Sequence, residues 1–274
     1  MVEKIIQATE QAEVPHLPAF GRTLNYIRKT LEDITYLKPT DYTLVTLWIV
    51  HAWLAPGLDY TVYLFIFSAK NGSGKSTLLR LINRMVPNPV GTSSYSIPWL
   101  FRKIDNEMPT LLLDEFDKKV RGDREMAEGL KAICNSGHSR SDGKHCIVEP
   151  VGKGGKFKDR EFKTYCAKAF ASIRVKGVDP GLISRSILIK IEQKPINLNL
   201  LDGESEDLDL YEDRFKKIRT ESGKIAEEYD YSDRTKVQPN LIESPRQRQL
   251  FSLLYRVAKH GGAEWINNFN NALQ

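Results

Sequence analysis

The stretch "TVYLFIF" (61–67) is β-branched, aromatic and apolar at odd and even positions alike. A strand with one wet face alternates, so a run that is greasy throughout predicts a strand covered on both sides, as in a parallel sheet. Just beyond it, Leu78, Leu81, Ile82 and Met85 recur at three- and four-residue spacing. That period predicts an amphipathic helix, and Pro87 and Pro89 end it. "PTLLLDEFD" predicts a second buried strand, "KAFASI" and "SILIKI" predict two more apolar strands, and "IPWLFRKID" and "DREMAEGLKAIC" predict helices. "KHCIVEP" and "REFKTYC" read as extended pieces around the loop "VGKGGKFKD", and so as a hairpin. "TLVTLWIVHAWLA" (43–55) is apolar all round but stops at Pro56-Gly57. It is too short to cross a bilayer and predicts a buried helix.

Strands alternating with helices predict an α/β fold built on a parallel sheet. After Pro195 the pattern changes to the acidic stretch "LDGESEDLDLYED", read as a linker or the solvated start of a helix. A helix then opens with Ser244 as N-cap and Pro245 at its first position. It carries Leu250, Leu253, Leu254 and Val257 as its apolar stripe and closes at Gly261-Gly262. The expected division is an N-terminal helical region at 1–57, a core at 58–195 and a C-terminal helical lid at 196–274.

The 274 residues carry a formal net charge of +5. That permits nucleic-acid contact without requiring it. Three cysteines, Cys134, Cys146 and Cys166, form no Cys-x-x-Cys pair. With no signal pattern at the start, they suggest a reduced, cytoplasmic setting. His138, His145 and Cys146 fit no zinc spacing. Trp48, Trp53 and Trp99 are expected in the core or at its edge.

Chemistry concentrates in "FIFSAKNGSGKSTLLRL" (65–81). A buried strand, a glycine-rich turn and a helix start are what a phosphate-binding loop needs, because backbone N–H groups then converge on the phosphates. Gly72 and Gly74 can take backbone angles other residues avoid. Lys75 can reach the terminal phosphates of ATP, and Ser76 can offer its hydroxyl to Mg²⁺. Ala69, Asn71, Ser73 and Thr77 complete the nucleotide-binding segment, with Ala69 where the G-x-x-x-x-G-K-[ST] pattern has its first glycine. In "PTLLLDEFD" the apolar run delivers Asp114 and Glu115 to a strand end, the edge that also carries the loop. Asp114 is expected to hold Mg²⁺, and Glu115 to orient or deprotonate an attacking water. The second acid favours hydrolysis over phosphoryl transfer to a metabolite.

With these residues in place, the chain resembles AAA+ type P-loop ATPases. More narrowly, it resembles the P-loop domains attached to phage and plasmid primase-helicase proteins. The resemblance runs from about Asp41 onward and rests on "LWIVHAWLAP", "FSAKNGSGKSTLL", "PTLLLDEFD", "AICNSGHSR", "KAFASI", "PGLISRSILIKI" and "LLYRVAKHGGAEW". It implies a three-layer P-loop core and a homo-oligomeric, hexameric ring. It also implies Arg185 as a finger completing a neighbour's site, Ser172 as a sensor of the γ-phosphate, and Arg246 or Arg248 as a second sensor from the lid. The lesser alternative for Arg185 is an arginine snorkelling from a strand edge.

The resemblance further implies that the hairpin meets single-stranded nucleic acid in the pore. Its tip "GKGGK" suits phosphate contact through Lys153 and Lys156, extended by Lys158. The expected function is an ATP-driven, helicase-like motor in the DNA replication of a mobile element, with a primase or other replication protein as partner. The alternative is an ATP-gated switch that remodels a protein partner without touching DNA.

Overall fold

The structure, a computed structural model, describes residues 19–70, 72–92, 94–151, 156–192, 208–237, 242 and 244–273. Among the described residues two helices come first, α1 (Ala19–Ile34) and α2 (Pro39–Leu54), and a 3-10 turn over Ala55–Gly57 ends the second. Strand and helix then alternate through β1 (Tyr63–Phe67), α3 (Lys75–Met85), β2 (Pro89–Thr92), α4 (Ile97–Glu107), β3 (Thr110–Leu113), α5 (Phe116–Gly122) and α6 (Arg124–Ser136). A hairpin follows, β4 (Lys144–Val151) and β5 (Lys156–Lys163), and then β6 (Lys168–Ser172), the one-turn α7 (Pro180–Ile183) and β7 (Ser186–Lys190). The C-terminal helices are α8 (Glu212–Glu228), α9 (Pro245–Gly261) and α10 (Ala263–Ala272).

β2, β3, β6, β1 and β7 form one sheet in that order, every pairing parallel. Helices cover both faces, so the architecture is three-layered α/β, as the run of two-sided apolar strands requires. Leu64, Ile66, Leu112, Ala169, Ala171, Ile187 and Ile189 face one layer, and Tyr63, Phe65, Leu111, Leu113 and Phe170 face the other. The first layer draws on all three expected regions: Leu24 and Trp48, Leu78 and Ile82, and Phe215, Leu254 and Trp265 share one cluster. α2 is buried almost all round, as its sequence predicts, and Trp48 donates its indole N–H to the Val62 carbonyl at 2.9 Å. Trp99 lies at the surface, 42% exposed.

β2 is invisible to strand patterning because it contains Pro89 and Gly91. It exists as one of the two outer strands of the sheet, where a missing N–H is tolerated. A side chain at Gly91 would have to displace the Asn83 amide, since its Cβ would sit 2.7 Å from Asn83 Nδ2.

The hairpin pairs Lys144 with Lys163 through to Val151 with Lys156, apart from the main sheet. Its root packs on α4 through Phe101, which stacks on His145 at 4.3 Å and tilts against Phe162 at 5.9 Å. Farther out, Val148 is 62% and Phe157 69% exposed.

Candidate functional site

In a parallel sheet every strand delivers its C-terminal end to the same edge. Here that edge carries the glycine-rich loop after β1, Asp114 and Glu115 after β3, and Ser172 at the end of β6. β6 lies between β1 and β3, so Ser172 stands between the loop and the acids. Two strand spacings, roughly 10 Å, separate the loop strand from the acidic strand.

The loop turns into α3 through left-handed backbone at Gly72 (φ 67°) and Gly74 (φ 93°). A Cβ at either glycine meets no atom within 4 Å, so the turn wraps open space. The Lys75 ammonium curls back onto the loop, donating to the carbonyls of Ser68 at 3.3 Å and Lys70 at 3.0 Å and to Ser73 Oγ at 3.2 Å. Burial lowers the Lys75 pKa, while Asp114 and Asp117 oppose that shift. Ser76 and Ala69 are exposed at the loop, Thr77 is half-buried, and Asn71 lies outside the described residues. Beside the loop is a cleft of about 300 Å³, lined by Gly72 to Leu78 and by the α1–α2 connection at Tyr36 and Leu37.

Asp114 is half-buried and accepts the Glu115 backbone N–H at 2.7 Å. Glu115 is exposed, with left-handed backbone (φ 51°), and pairs with Lys118 on its own turn. For a side-chain-bearing residue that backbone costs on the order of 1 kcal/mol, the kind of strain that clusters at functional positions. Sequence reasoning missed Asp117. It is 7% exposed and accepts the Ile173 N–H at 3.2 Å, tying α5 to the end of β6. The signal was present: three acids in "DEFD" with only Phe116 interrupting them. The Ser172 hydroxyl is engaged locally, donating to the Arg174 carbonyl at 2.9 Å.

The opposite edge holds the arginines. Arg185 immediately precedes β7, and its carbonyl accepts the N–H of Tyr63, the first residue of β1. A five-residue strand, about 16 Å long, separates it from the loop edge of its own chain. Its guanidinium donates to His138 Nδ1 at 3.1 Å, Asn135 Oδ1 at 3.0 Å and the Gly181 carbonyl at 2.7 Å. Burial lowers the Arg185 pKa, and Arg246 nearby adds to that. Arg246 donates to Ser184 Oγ at 3.1 Å, and Arg248 lines a groove beside Tyr60. Neither reaches the loop of its own chain, against the expectation of a lid sensor, because the start of α9 docks beside the residues entering β7.

At the end of α6, Gly137 accepts a 3.2 Å hydrogen bond from the fully buried Lys168, whose ammonium also donates to the Thr164 and Cys166 carbonyls at 3.0 and 3.1 Å.

Lys158 is exposed on β5, whereas Lys153 and the Lys156 side chain lie outside the described residues. Among the described residues no group of three or more His, Cys, Asp or Glu is arranged to hold a metal, and no helix is long and apolar enough to cross a membrane. No protein-family model matches the chain, and no curated protein matches it.

Proposed function

We propose that this chain is a P-loop ATPase of the AAA+ type, hydrolysing ATP to ADP and phosphate as an oligomeric ring that works on nucleic acid. One observation carries the reading: β6 lies between β1 and β3, so the loop, Ser172 and the Asp114–Glu115 pair face one another across a single sheet edge. The loop amides and Lys75 bind the phosphates, and the cleft beside Tyr36 accepts the base and sugar. Ser76 and Asp114 are hard oxygen donors suited to Mg²⁺, which shares its shell with phosphate oxygens and needs no dedicated cage of acids. When bound, the ion neutralises charge on the β- and γ-phosphates. Glu115, released from Lys118, accepts a proton from the water that attacks the γ-phosphorus. Asp117 holds the end of β6 against α5 and adds negative charge near Lys75.

Arg185 is too far from its own loop to act there, which supports its service to a neighbouring copy. A guanidinium suits the charge that builds on the γ-phosphate oxygens. Lys158 on the projecting hairpin and the net charge of +5 support nucleic acid as the substrate of the motor. The exposure of Val148 and Phe157 on the same hairpin favours the second reading, an ATP-gated switch that grips a protein partner.

Lys75→Ala is expected to abolish binding of a fluorescent ATP analogue. Glu115→Gln is expected to keep binding and stop turnover. Normal hydrolysis by Glu115→Gln removes Glu115 from the mechanism. Stimulation of turnover by single-stranded DNA that weakens with salt separates the motor from the protein switch.

A further inference from the structure

A second, larger concavity lies at the edge of the sheet remote from the glycine-rich loop. It is a groove of about 700 Å³ between the residues entering β1, the segment after α8, and α9. Its floor is apolar, with Leu58, Val237 and Leu253 all buried. Ser252 seals the base: its hydroxyl accepts the Val237 N–H at 3.0 Å and donates to the Arg248 carbonyl at 2.5 Å.

Among the described residues, four cationic side chains, Arg234, Lys236, Arg248 and Arg256, and the carboxylate of Asp59 line the groove. That carboxylate neutralises little, since it stands 3.8 Å from Arg234 and both side chains are mostly exposed. Arg256 donates from Nε to the Thr235 carbonyl at 2.9 Å. Arg234 is steadied through Nη1 by the Tyr231 carbonyl at 2.6 Å.

Two tyrosines complete the lining. Tyr231 is fixed at both ends, its hydroxyl donating to the Ala226 carbonyl at 2.9 Å and its ring seated where a side chain at Gly57 would stand. Tyr60 is half-buried and leans on His138 with ring centroids 6.3 Å apart.

We propose that this groove binds single-stranded nucleic acid, the four cations following its phosphates and Tyr60 and Tyr231 offering faces to its bases. Cations on a trough with an apolar floor and two aromatic rings match a polymer that alternates phosphates with flat apolar rings. An acidic polypeptide satisfies the charges and leaves the rings without a role. The inference deepens the nucleic-acid reading by adding a contact surface separate from the hairpin.

The test is anisotropy of fluorescein-labelled oligo-dT on the full chain across a salt series, without nucleotide. Each phosphate neutralised on a single strand contributes about −0.7 to the slope of log affinity against log salt. Lys236→Ala with Arg248→Ala is therefore expected to flatten the slope by about 1.4. Tyr60→Leu is expected to weaken binding about tenfold, while Tyr60→Phe, which keeps the ring, holds the wild-type affinity. An unchanged slope in the double variant overturns the proposal. So does Tyr60→Leu binding as Tyr60→Phe does, or polyglutamate displacing oligo-dT equally well from both variants. Binding of a fluorescent ATP analogue is measured in parallel: its loss refutes the ATPase reading, whereas an oligonucleotide result speaks to the groove alone.

Discussion

Gly74→Ala separates what the loop does for folding from what it does for a ligand. At Gly74 the backbone is left-handed, with φ 93° and ψ 8°, and an added Cβ touches nothing within 4 Å. The folding cost is then conformational only. An alanine in left-handed backbone loses about 1–2 kcal/mol, and the stiffer unfolded chain returns about 0.4–1 kcal/mol of that. The net is on the order of 1 kcal/mol, or about 2–4 °C in melting temperature for a chain of this size. The open space beside Gly74 is where a phosphate must lie if the loop is a cradle, so the new methyl and the ligand compete for it. ATP with Mg²⁺ at a hundredfold excess over Kd stabilises the native state by about 2.7 kcal/mol. That corresponds to a rise of about 5–10 °C in the wild type. The assay is a thermal melt with and without nucleotide, beside a fluorescent-analogue titration. Gly74→Ala should melt slightly early and show almost no nucleotide-dependent rise. Gly262→Ala serves as the strain control: with φ 100° and ψ −178° at the α9–α10 junction it should destabilise more and keep the full rise. A Gly74→Ala protein that retains the full rise refutes the cradle.

Three further predictions follow from other contacts. Arg185→Ala should keep nucleotide affinity within about twofold and lose turnover; an equimolar mixture with Lys75→Ala should regain part of it, and no regain means the arginine does not act between copies. Burial holds the His51 pKa at about 3, against 6.5 for the free side chain, and its Nε2 accepts the Val62 N–H at 3.2 Å. A depressed pKa gives stability that is complete above pH 6.5 and is lost as pH falls towards 3, up to about 5 kcal/mol, so the stability from urea melts should fall across that window for wild type and depend less on pH for His51→Gln. Lys168→Met should destabilise by about 3 kcal/mol in chemical denaturation, because three carbonyls lose a charged donor inside the core.

The elements that the sequence makes legible are those whose burial is uniform or periodic. β1, β3 and β6 stand out because both faces are covered, and α9 because Ser244, Pro245 and its apolar stripe agree; Ser244 Oγ accepts the Gln247 N–H as a cap should. β7 stands out by composition, although its buried apolar residues, Ile187 and Ile189, lie on one face and Leu188 on the other is 42% exposed. β2 was not legible, since Pro89 and Gly91 break any strand pattern and it is held by its pairing with β3. The loop and its acids were readable because strand ends converge on one edge whatever the order of strands. The order itself, which sets Ser172 between them, is a long-range outcome that no local pattern encodes. The same holds for Arg246 and Arg248: their position on a first helical turn was readable, but the docking of that turn at the far edge depends on how α9 packs against α1 and α2. Asp117 was legible as a residue but not as a contact, because its partner, Ile173, is 56 positions away.

A chain with its glycine-rich loop at one end of the sheet and Arg185 at the other has a head and a tail. Were Arg185 to serve a neighbour, an antiparallel pair about a two-fold axis would fill both sites and stop at two copies. Head-to-tail contact would instead leave one loop and one arginine unused, and its repetition would either close on itself or wind on without limit. In that second case the angle between successive copies would decide between a finite circle and a growing helix, and a substitution that tilts the contact would change the symmetry before the chemistry.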